Sequence, residues 1–304
     1  MSANHASSFD AIVIGGGPAG LTGAVYLARF RRRVLLIDAG ASRAGRIPRT
    51  HNHPGCADGI PGSQLLALLK EQARRYPIEF ATGEVNHLER AREGWRVQWP
   101  GGPQAVARTV LLATGGSDRE PSMPHLAEAL REGALHYCPV CDGYEIIDQS
   151  VGVIAEDRAG VGEALYLRRF TPHLTLFMAN GQVALSEEDR QRLEQAGITW
   201  VREPTDSIRL WERRVTIRHG ETETQCDSVY CALGMRIHSQ LATALGAEAD
   251  EHGYLCIDEH HRTTLPGLYA AGDVSRGLNQ ISVAYGGAAI AASAMHVAMN
   301  AEDA

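Results

Sequence analysis

The stretch from residue 9 to residue 38 limits the fold of this chain more than any other feature. An apolar run at 9–14 leads directly into Gly15-Gly16-Gly17-Pro18-Ala19-Gly20, a helix-like segment follows at 21–30, and the apolar run 34–38 ends in Asp38. This order predicts a strand, a tight turn, a helix and a second strand, with glycines in the G-x-G-x-x-G spacing. Such a turn brings backbone N–H groups close to a pyrophosphate, and Asp38 is placed to accept hydrogen bonds from a ribose. The sequence therefore predicts a dinucleotide-binding α/β unit.

A second unit of the same order begins near the middle of the chain. An apolar run at 151–154, a helix-like segment at 162–170 and a strand-like run at 174–177 repeat the β-α-β pattern. Further helices are predicted at 185–196 and at 286–299. Because 304 residues suffice for about two domains, the repeat favours two separate units. The predicted fold class is α/β, with two Rossmann-like, nucleotide-binding-type domains.

Composition excludes several functional classes. The net charge of −7 and the absence of an isolated basic tract argue against nucleic acid as a partner. No apolar run reaches about 18 residues, so no membrane span is expected. The first ten residues lack the apolar core of a signal peptide, and six cysteines in a chain of this length do not resemble a secreted disulfide framework. A cytoplasmic location is therefore expected.

The segment Cys-Pro-Val-Cys-Asp-Gly at 138–143 holds two cysteines two residues apart, and no second such pair exists in the chain. Two thiols at this spacing can form and reopen a disulfide, because one attacks as a thiolate and the other resolves the product. A zinc site would need two further cysteine or histidine ligands at suitable spacing, so no metal is expected. The following residue, Asp142, is either a general acid/base or the N-cap of a helix.

Four segments occur in an informative order: GGGPAG at 15–20, ATGG at 113–116, CPVCDG at 138–143 and AAGD at 270–273. Together they resemble the low-molecular-weight thioredoxin reductases and their relatives among the flavin-dependent disulfide oxidoreductases. The resemblance covers nearly the whole chain. It implies that the first unit binds FAD and that the protein is a homodimer. It also implies a discontinuous FAD domain, 1–118 and 246–304, into which a domain at 119–245 is inserted.

The resemblance also assigns roles to individual residues. In the redox centre, Cys141 would face the flavin, Cys138 would exchange with the partner and Asp142 would move a proton. Asn279 departs from the family pattern, because an arginine is usual there. The residues implied to surround FAD are Gly15, Gly17, Pro18, Ala19 and Gly20 at the pyrophosphate, Asp38 at the adenosine ribose, and Asn52, Thr114, Gly115, Gly272, Asp273, Gln280 and Ile281 towards the ribityl chain and the flavin ring.

The second unit departs from the family at both ends of the expected NADPH site. Where relatives carry Gly-x-Gly-x-x-Ala, this chain has Ala-Glu-Asp-Arg-Ala-Gly at 155–160. The charges of Glu156 and Asp157 repel phosphate, and their side chains fill space that glycine leaves open. The family's His-Arg-Arg segment is replaced by Met-Ala-Asn at 178–180, so no guanidinium is present for a 2′-phosphate. NADPH is therefore not expected to be the donor, although Arg158 could still reach a phosphate.

These departures leave several functions open. In the first, ferredoxin or a second reduced flavin supplies electrons that pass through FAD to Cys138–Cys141 and on to thioredoxin. In the second, a small dithiol reduces the disulfide and dioxygen reoxidises FAD, as in the dithiol oxidases that this chain resembles around Thr50-His51-Asn52. An NADPH-dependent reductase with atypical binding is a third. A non-enzymatic FAD redox sensor is the fourth, and the intact cysteine pair argues against it.

Overall fold

The computed structural model of the chain describes residues 7–92, 94–180 and 185–304, which contain both strands and helices. They form two seven-stranded sheets and one two-stranded ribbon. In chain order the strands are β1 (Ser7–Ile14), β2 (Val34–Asp38), β3 (Ile78–Thr82), β4 (His87–Ala91), β5 (Gly94–Gln98), β6 (Ala105–Leu112), β7 (Gly116–Asp118), β8 (Leu135–His136), β9 (Val151–Ala155), β10 (Leu174–Met178), β11 (Thr199–Trp211), β12 (Arg214–His219), β13 (Thr222–Cys226), β14 (Ser228–Ala232), β15 (Met235–Ile237) and β16 (Leu268–Ala270).

Helices connect and cover these strands. The α-helices are α1 (Pro18–Arg29), α2 (Gly62–Arg74), α3 (Leu126–Arg131), α4 (Pro139–Asp142), α5 (Ala159–Leu167), α6 (Glu187–Gln195), α7 (Gln240–Thr243) and α8 (Ile281–Asp303). A short 3-10 helix spans Arg43–Arg46.

The first sheet has the strand order β3-β2-β1-β6-β5-β4, and β16 also pairs with β6. Strands β1, β2, β3, β6 and β16 are parallel, whereas β4 and β5 run antiparallel. The central strands are almost entirely apolar because side chains pack against both faces of the sheet. The carboxyl ends of β1, β2, β6 and β16 meet at one edge, which is where ligands bind in open α/β sheets.

The second sheet has the order β13-β12-β11-β10-β9-β14-β8. Strands β8 to β11 and β14 pair in parallel, and β11, β12 and β13 form an antiparallel meander. Helices α5 and α6 pack on one face, and apolar side chains fill both faces. The strands of this sheet lie in the chain between those of the first, so the predicted α/β class with two Rossmann-like units is confirmed.

The ribbon of β7 and β15 lies where the chain leaves the first sheet and where it returns. Its strands are antiparallel, with Asp118 opposite Met235 and Gly116 opposite Ile237. Leu241 and Ala242, which follow the ribbon, already pack with the first sheet. The expected boundary at 118/119 falls at the end of β7, and the one at 245/246 falls eight residues after the end of β15; both stay predictions.

Helix α8 packs on the first sheet mainly through small residues. Ala284, Ala288, Ala291 and Met295 are buried and share a core with α1. Among the described residues α8 is the one helix whose length and composition alone would also fit a membrane span, with a mean hydropathy of 1.4. A core helix of a soluble protein passes the same test, so this property is weak evidence for a membrane.

Candidate active site

A cavity of about 980 Å³ lies at the carboxyl edge of the first sheet and extends to the segment that carries the two neighbouring cysteines. It therefore brings together the residues expected at the cofactor and the residues expected at the redox centre. The sequence-predicted residues that line it are Gly15, Gly17, Pro18, Ala19, Asp38, Asn52, Thr114, Gly115, Cys138, Cys141, Asp142, Gly272, Asp273, Gln280 and Ile281.

The glycine turn after β1 is shaped for close approach by a ligand. Gly15 has a φ of 111°, and a Cβ there would lie 2.2 Å from the carbonyl oxygen of Ala113. A Cβ on Gly20 would lie 1.8 Å from the carbonyl oxygen of Gly15, so Gly20 packs α1 against the turn instead of lining the cavity. Helix α1 begins after Gly17 without a side-chain cap. Its first N–H groups are therefore free to meet a phosphate.

Asp38 is fixed at the end of β2 by three donors. Its Oδ1 accepts hydrogen bonds from the backbone N–H groups of Gly16, at 3.2 Å, and Gly40, at 2.9 Å. Its Oδ2 lies 3.2 Å from Lys70 Nζ on α2. The carboxylate still lines the cavity, where it can accept hydrogen bonds from ribose hydroxyls. The contact of Lys70 with Asp38 was not predicted, because nothing in the local sequence distinguishes Lys70 from other surface lysines.

Arg43 places a positive charge inside the cavity. Its guanidinium donates to both Asp118 carboxylate oxygens, at 2.8 and 2.7 Å, and to Asp273 Oδ2 at 3.3 Å. Burial raises the pKa of Asp273, although the charge of Arg43 acts in the opposite direction. No sequence pattern indicated a role for Arg43, because the partners of Arg43 lie 75 and 230 residues away in the chain.

These features fit FAD. The volume is that of a site for a large organic ligand. The tight glycine turn and the uncapped start of α1 suit a pyrophosphate, and the fixed carboxylate of Asp38 suits a ribose. Asp273 follows β16 at the same edge and would meet the ribityl chain.

Cys138 and Cys141 form a disulfide, with their Cα atoms 5.2 Å apart. Cys138 is the N-cap of α4, and the backbone N–H of Cys141 lies 3.1 Å from Cys138 Sγ. Pro139 occupies the first turn, where its missing N–H leaves no bond unmade. The short helix therefore holds the pair at the spacing a disulfide needs, and the disulfide faces the cavity.

A chain of hydrogen bonds from the first unit reaches this disulfide. Gln280 Nε2 lies 3.2 Å from Cys141 Sγ and 3.4 Å from Cys138 Sγ. Gln280 Oε1 accepts from Asn52 Nδ2 at 3.0 Å, and Asn52 Oδ1 accepts from the Thr50 hydroxyl at 2.9 Å. Two residues expected beside the flavin are therefore also tied to the disulfide.

Asp142 is paired with an imidazole. Its Oδ2 lies 3.0 Å from His136 Nδ1, and His136 Nε2 lies 2.9 Å from the carbonyl oxygen of Gly133. Because a carbonyl oxygen only accepts, Nε2 is the donor to Gly133, and Nδ1 is the ring nitrogen that faces the Asp142 carboxyl group. The ring of His136 stacks on buried Tyr230 at 4.8 Å. Asp142 does not cap α4, whose N-cap is Cys138, so the capping alternative does not apply to this helix.

The turn after β9, where the family resemblance led us to expect an NADPH site, is occupied by the chain's own side chains. Asp157 Oδ1 accepts from the backbone N–H of Ala159 at 2.8 Å, at the start of α5. Glu156 Oε2 lies 2.6 Å from an Arg119 nitrogen. Arg158, the residue that could have reached a phosphate, donates to Asp189 Oδ2 at 2.7 Å.

One buried carboxylate lies on the helix after this turn. Glu163 Oε2 is inaccessible to solvent and has no hydrogen-bond partner among the described residues. Burial, with a smaller contribution from the charge of Asp157, raises the pKa of Glu163 to about 7. No feature of the local sequence pattern indicated this environment.

Comparison with known proteins agrees with this geometry. The family model described as pyridine nucleotide-disulphide oxidoreductase matches residues 9–288. A thioredoxin reductase from Treponema pallidum (strain Nichols) is 31% identical over 302 residues, which cover 95% of this chain and 96% of the relative. Among solved structures, HlmI superimposes with a TM-score of 0.90 at 30% identity, over 100% of this chain and 95% of that one. Thioredoxin reductase from Streptococcus pyogenes MGAS5005 gives a TM-score of 0.89 at 27% identity, over 98% and 100% of the two chains.

Both the cavity and the relatives identify FAD as the cofactor. The family match spans the glycine turn, the disulfide segment and the Gly-Asp step before α8. The chain therefore belongs to the pyridine nucleotide-disulphide oxidoreductase family, as a thioredoxin reductase-like, FAD-dependent disulfide oxidoreductase.

Proposed function

We propose that this enzyme exchanges electrons between FAD and the Cys138–Cys141 disulfide without using NADPH. Ferredoxin or a second reduced flavin is the proposed donor, and a thioredoxin-like protein is the proposed acceptor. The single observation that carries the proposal is the turn after β9, where acidic side chains take the place of a phosphate.

Three features of the second unit oppose a nicotinamide dinucleotide. Asp157 accepts the N–H of Ala159, a donor that a bound phosphate would otherwise use. The carboxylate of Glu156 adds a second negative charge beside it. The ion pair of Glu156 with Arg119 is partly exposed and contributes only about 0–1 kcal/mol to stability. The main obstacles to a bound phosphate are therefore the negative charges and the space that these side chains fill. The segment after β10 also lacks a cation for a 2′-phosphate.

Bound FAD supplies two-electron chemistry, and the chain's own residues supply the thiol exchange. Two electrons and two protons convert the disulfide into two thiols. The Cys138 thiolate attacks the partner's disulfide, which forms a mixed disulfide and releases one partner thiolate. Cys141 then attacks Cys138 Sγ, which releases the second partner thiolate and re-forms the Cys138–Cys141 bond. Asp142, which contacts His136, would exchange protons with these sulfurs.

Exposed apolar side chains beside the disulfide support a protein partner. Val140 and Ile147 are exposed, and Tyr144 is 77% exposed. Apolar side chains of this kind around a reactive group are typical of a docking surface. We propose that the thioredoxin-like partner contacts this surface while its disulfide meets Cys138.

An oxygen-dependent dithiol oxidase is the second candidate. Thr50 and Asn52, in the segment that resembles dithiol oxidases, belong to the hydrogen-bond chain that ends at the disulfide. In this function a dithiol loses two electrons and two protons to become a disulfide, and dioxygen takes both to become hydrogen peroxide.

A donor screen separates the candidates. Purified holoprotein is mixed anaerobically with reduced ferredoxin, with a reduced free flavin or with a small dithiol, and the flavin absorbance band is followed. We expect ferredoxin or reduced flavin to bleach the band and thioredoxin to restore it. Bleaching by the dithiol alone, with recovery and peroxide release in air, would establish the oxidase instead. A Cys141→Ser variant is the control without a disulfide, and Cys256→Ser, which alters a free cysteine, is its matched counterpart.

The assembly and the location are proposed together with this function. We propose a homodimer in a reducing cytoplasm. Helix α8 supports the dimer, because Val283, Ile290 and Val297 are exposed at seven-residue intervals on one face.

A further inference from the structure

A side-chain amide of the first unit contacts both sulfurs carried by the second unit. Gln280, the N-cap of α8, donates through Nε2 to Cys141 Sγ at 3.2 Å and to Cys138 Sγ at 3.4 Å. These partners lie 139 and 142 residues away in the chain. Throughout the part of the chain that the structure describes, it is the only side chain that donates a hydrogen bond to either sulfur. The other donor, the N–H of Cys141, is internal to the α4 segment.

The direction of this amide is determined at both ends. Oxidised sulfurs have no hydrogen to donate, so the NH₂ group of Gln280 must face them. On its other side, Gln280 Oε1 accepts from Asn52, which in turn accepts from the hydroxyl of buried Thr50. A reversed Gln280 amide would set an oxygen lone pair against two sulfurs and an NH₂ group against another NH₂ group. The hydrogen bonds therefore run in one direction, from Thr50 to the disulfide.

We propose that Gln280 is a positioning residue that raises the reduction potential of the Cys138–Cys141 disulfide and is itself oriented by Asn52 and Thr50. Reduction places negative charge on a sulfur, and hydrogen bonds to charged acceptors are roughly twice as strong as those between neutral groups. The same N–H donor therefore stabilises a thiolate more than it stabilises a disulfide sulfur. Gln280 thus favours the reduced form.

This inference rests on the proposed redox role of the disulfide, but its measurement needs no turnover. In equilibrium with dithiothreitol, the protein S–S bond breaks, and an intramolecular S–S bond forms in the reagent. Two electrons and two protons pass from the reagent's thiols to Cys138 and Cys141. A disulfide that is inactive in catalysis would refute the proposed function, whereas an unaltered equilibrium in an active enzyme would refute only the role of Gln280.

The experiment compares Gln280→Leu with the wild-type holoprotein. Both are equilibrated anaerobically at graded ratios of reduced to oxidised dithiothreitol, quenched in acid and alkylated under denaturing conditions. The chain has six cysteines and four are free in the oxidised protein, so mass spectrometry distinguishes four labels from six. We expect the equilibrium constant for reduction to fall about tenfold in the variant, which for a two-electron couple corresponds to ~30 mV. Flavin content is measured in the same samples.

Two further variants make the result decisive. Gln280→Met keeps the length of the side chain without its donor, so it should shift the constant as Gln280→Leu does and replaces it if that variant does not fold. Asn279→Leu is the matched control, because this neighbouring amide donates to the Tyr254 hydroxyl at 2.8 Å and to the Met235 thioether at 3.3 Å, and not to either cysteine sulfur. The proposal is wrong if Gln280→Leu and Gln280→Met both stay within about twofold of wild type, or if Asn279→Leu shifts the constant as far.

Discussion

The carboxyl group of Asp142 faces a single imidazole, and this contact defines how protons would reach the disulfide. His136 is held on two sides, by the carbonyl of Gly133 and by the ring of Tyr230. His136 therefore links Asp142 to the backbone of Gly133 and holds the carboxyl group in place.

Replacement of His136 tests whether its contact with Asp142 serves catalysis. His136→Phe keeps a ring against Tyr230 but removes both hydrogen bonds, and we expect turnover to fall by roughly 10²-fold, as for a lost acid/base group. The measurement is the steady-state reduction of a disulfide substrate by the donor that the screen identifies, with kcat and KM determined separately. His136→Gln, which keeps a donor but cannot ionise, should restore folding and KM without restoring kcat. Full activity in both variants would contradict the role of the pair.

The partly buried carboxylate of Glu163 is expected to make the free energy of unfolding depend on pH. Because its folded pKa is raised to about 7 from an ordinary 4.5, its contribution to folding is present at low pH and is lost as the pH rises through 7. We expect Glu163→Gln to increase the free energy of unfolding at about pH 8 by roughly 1–3 kcal/mol relative to wild type, and to change it little at about pH 5. Urea denaturation at both pH values measures this difference. An equal effect at the two values would show that Glu163 is not buried as described, and exposed Glu194→Gln serves as the control for charge removal.

Local spacing explains which residues the sequence could predict. The glycine turn and Asp38 follow from one contiguous pattern, and the structure places them on one cavity. Arg43 contacts residues 75 and 230 positions away, and Gln280 contacts the two disulfide sulfurs from 142 and 139 positions away. No local sequence pattern contains such distant pairs. The roles of Cys138, Cys141 and Asp142 stay predictions from the family resemblance, together with the geometry that now surrounds them.

At the scale of elements, the sequence predicted four of the eight described α-helices but not where they begin. The helix predicted at 162–170 is α5, Ala159–Leu167, and the carboxylate of Asp157 accepts the N–H of its first residue, Ala159. The helix predicted at 286–299 is α8, Ile281–Asp303, which begins at once after Gln280. The helix predicted at 185–196 is α6, Glu187–Gln195, and its N-cap is Ser186. Helices α2, α3, α4 and α7 were not predicted. The last three have only six, four and four residues, too few for a periodic pattern.

The exposed face of α8 leads to a prediction about assembly. Val283, Ile290 and Val297 form a stripe that no described residue covers. We expect the wild-type protein to sediment as a dimer and Ile290→Glu to sediment as a monomer, because a charge cannot be buried unpaired at such an interface. Leu68→Glu is the control, since Leu68 is similarly exposed but lies on α2. A wild-type monomer, or a dimer that survives Ile290→Glu, would exclude this face as the interface.

For the whole molecule, the important feature is how one unit presents its disulfide to the other. The ribbon of β7 and β15 joins the two units, and ion pairs from Arg43 to Asp118 and from Arg46 to Glu120 lie beside it. Gln280 adds a contact at the disulfide itself. The repeat in the sequence predicted two units, but their inserted arrangement came from the family resemblance, because periodicity carries no information on connectivity.

The central claim is that electrons do not enter from NADPH, and one measurement tests it most directly. Purified FAD-loaded protein is mixed anaerobically with excess NADPH in a stopped-flow spectrometer, and the flavin absorbance band is recorded beside a sample reduced by dithionite. The turn after β9 holds Glu156 and Asp157, and residues 178–180 include no cation for the 2′-phosphate. We therefore predict that the band keeps its oxidised amplitude with NADPH over the time in which dithionite bleaches it completely. Rapid bleaching by NADPH, saturating with its concentration, would contradict the account.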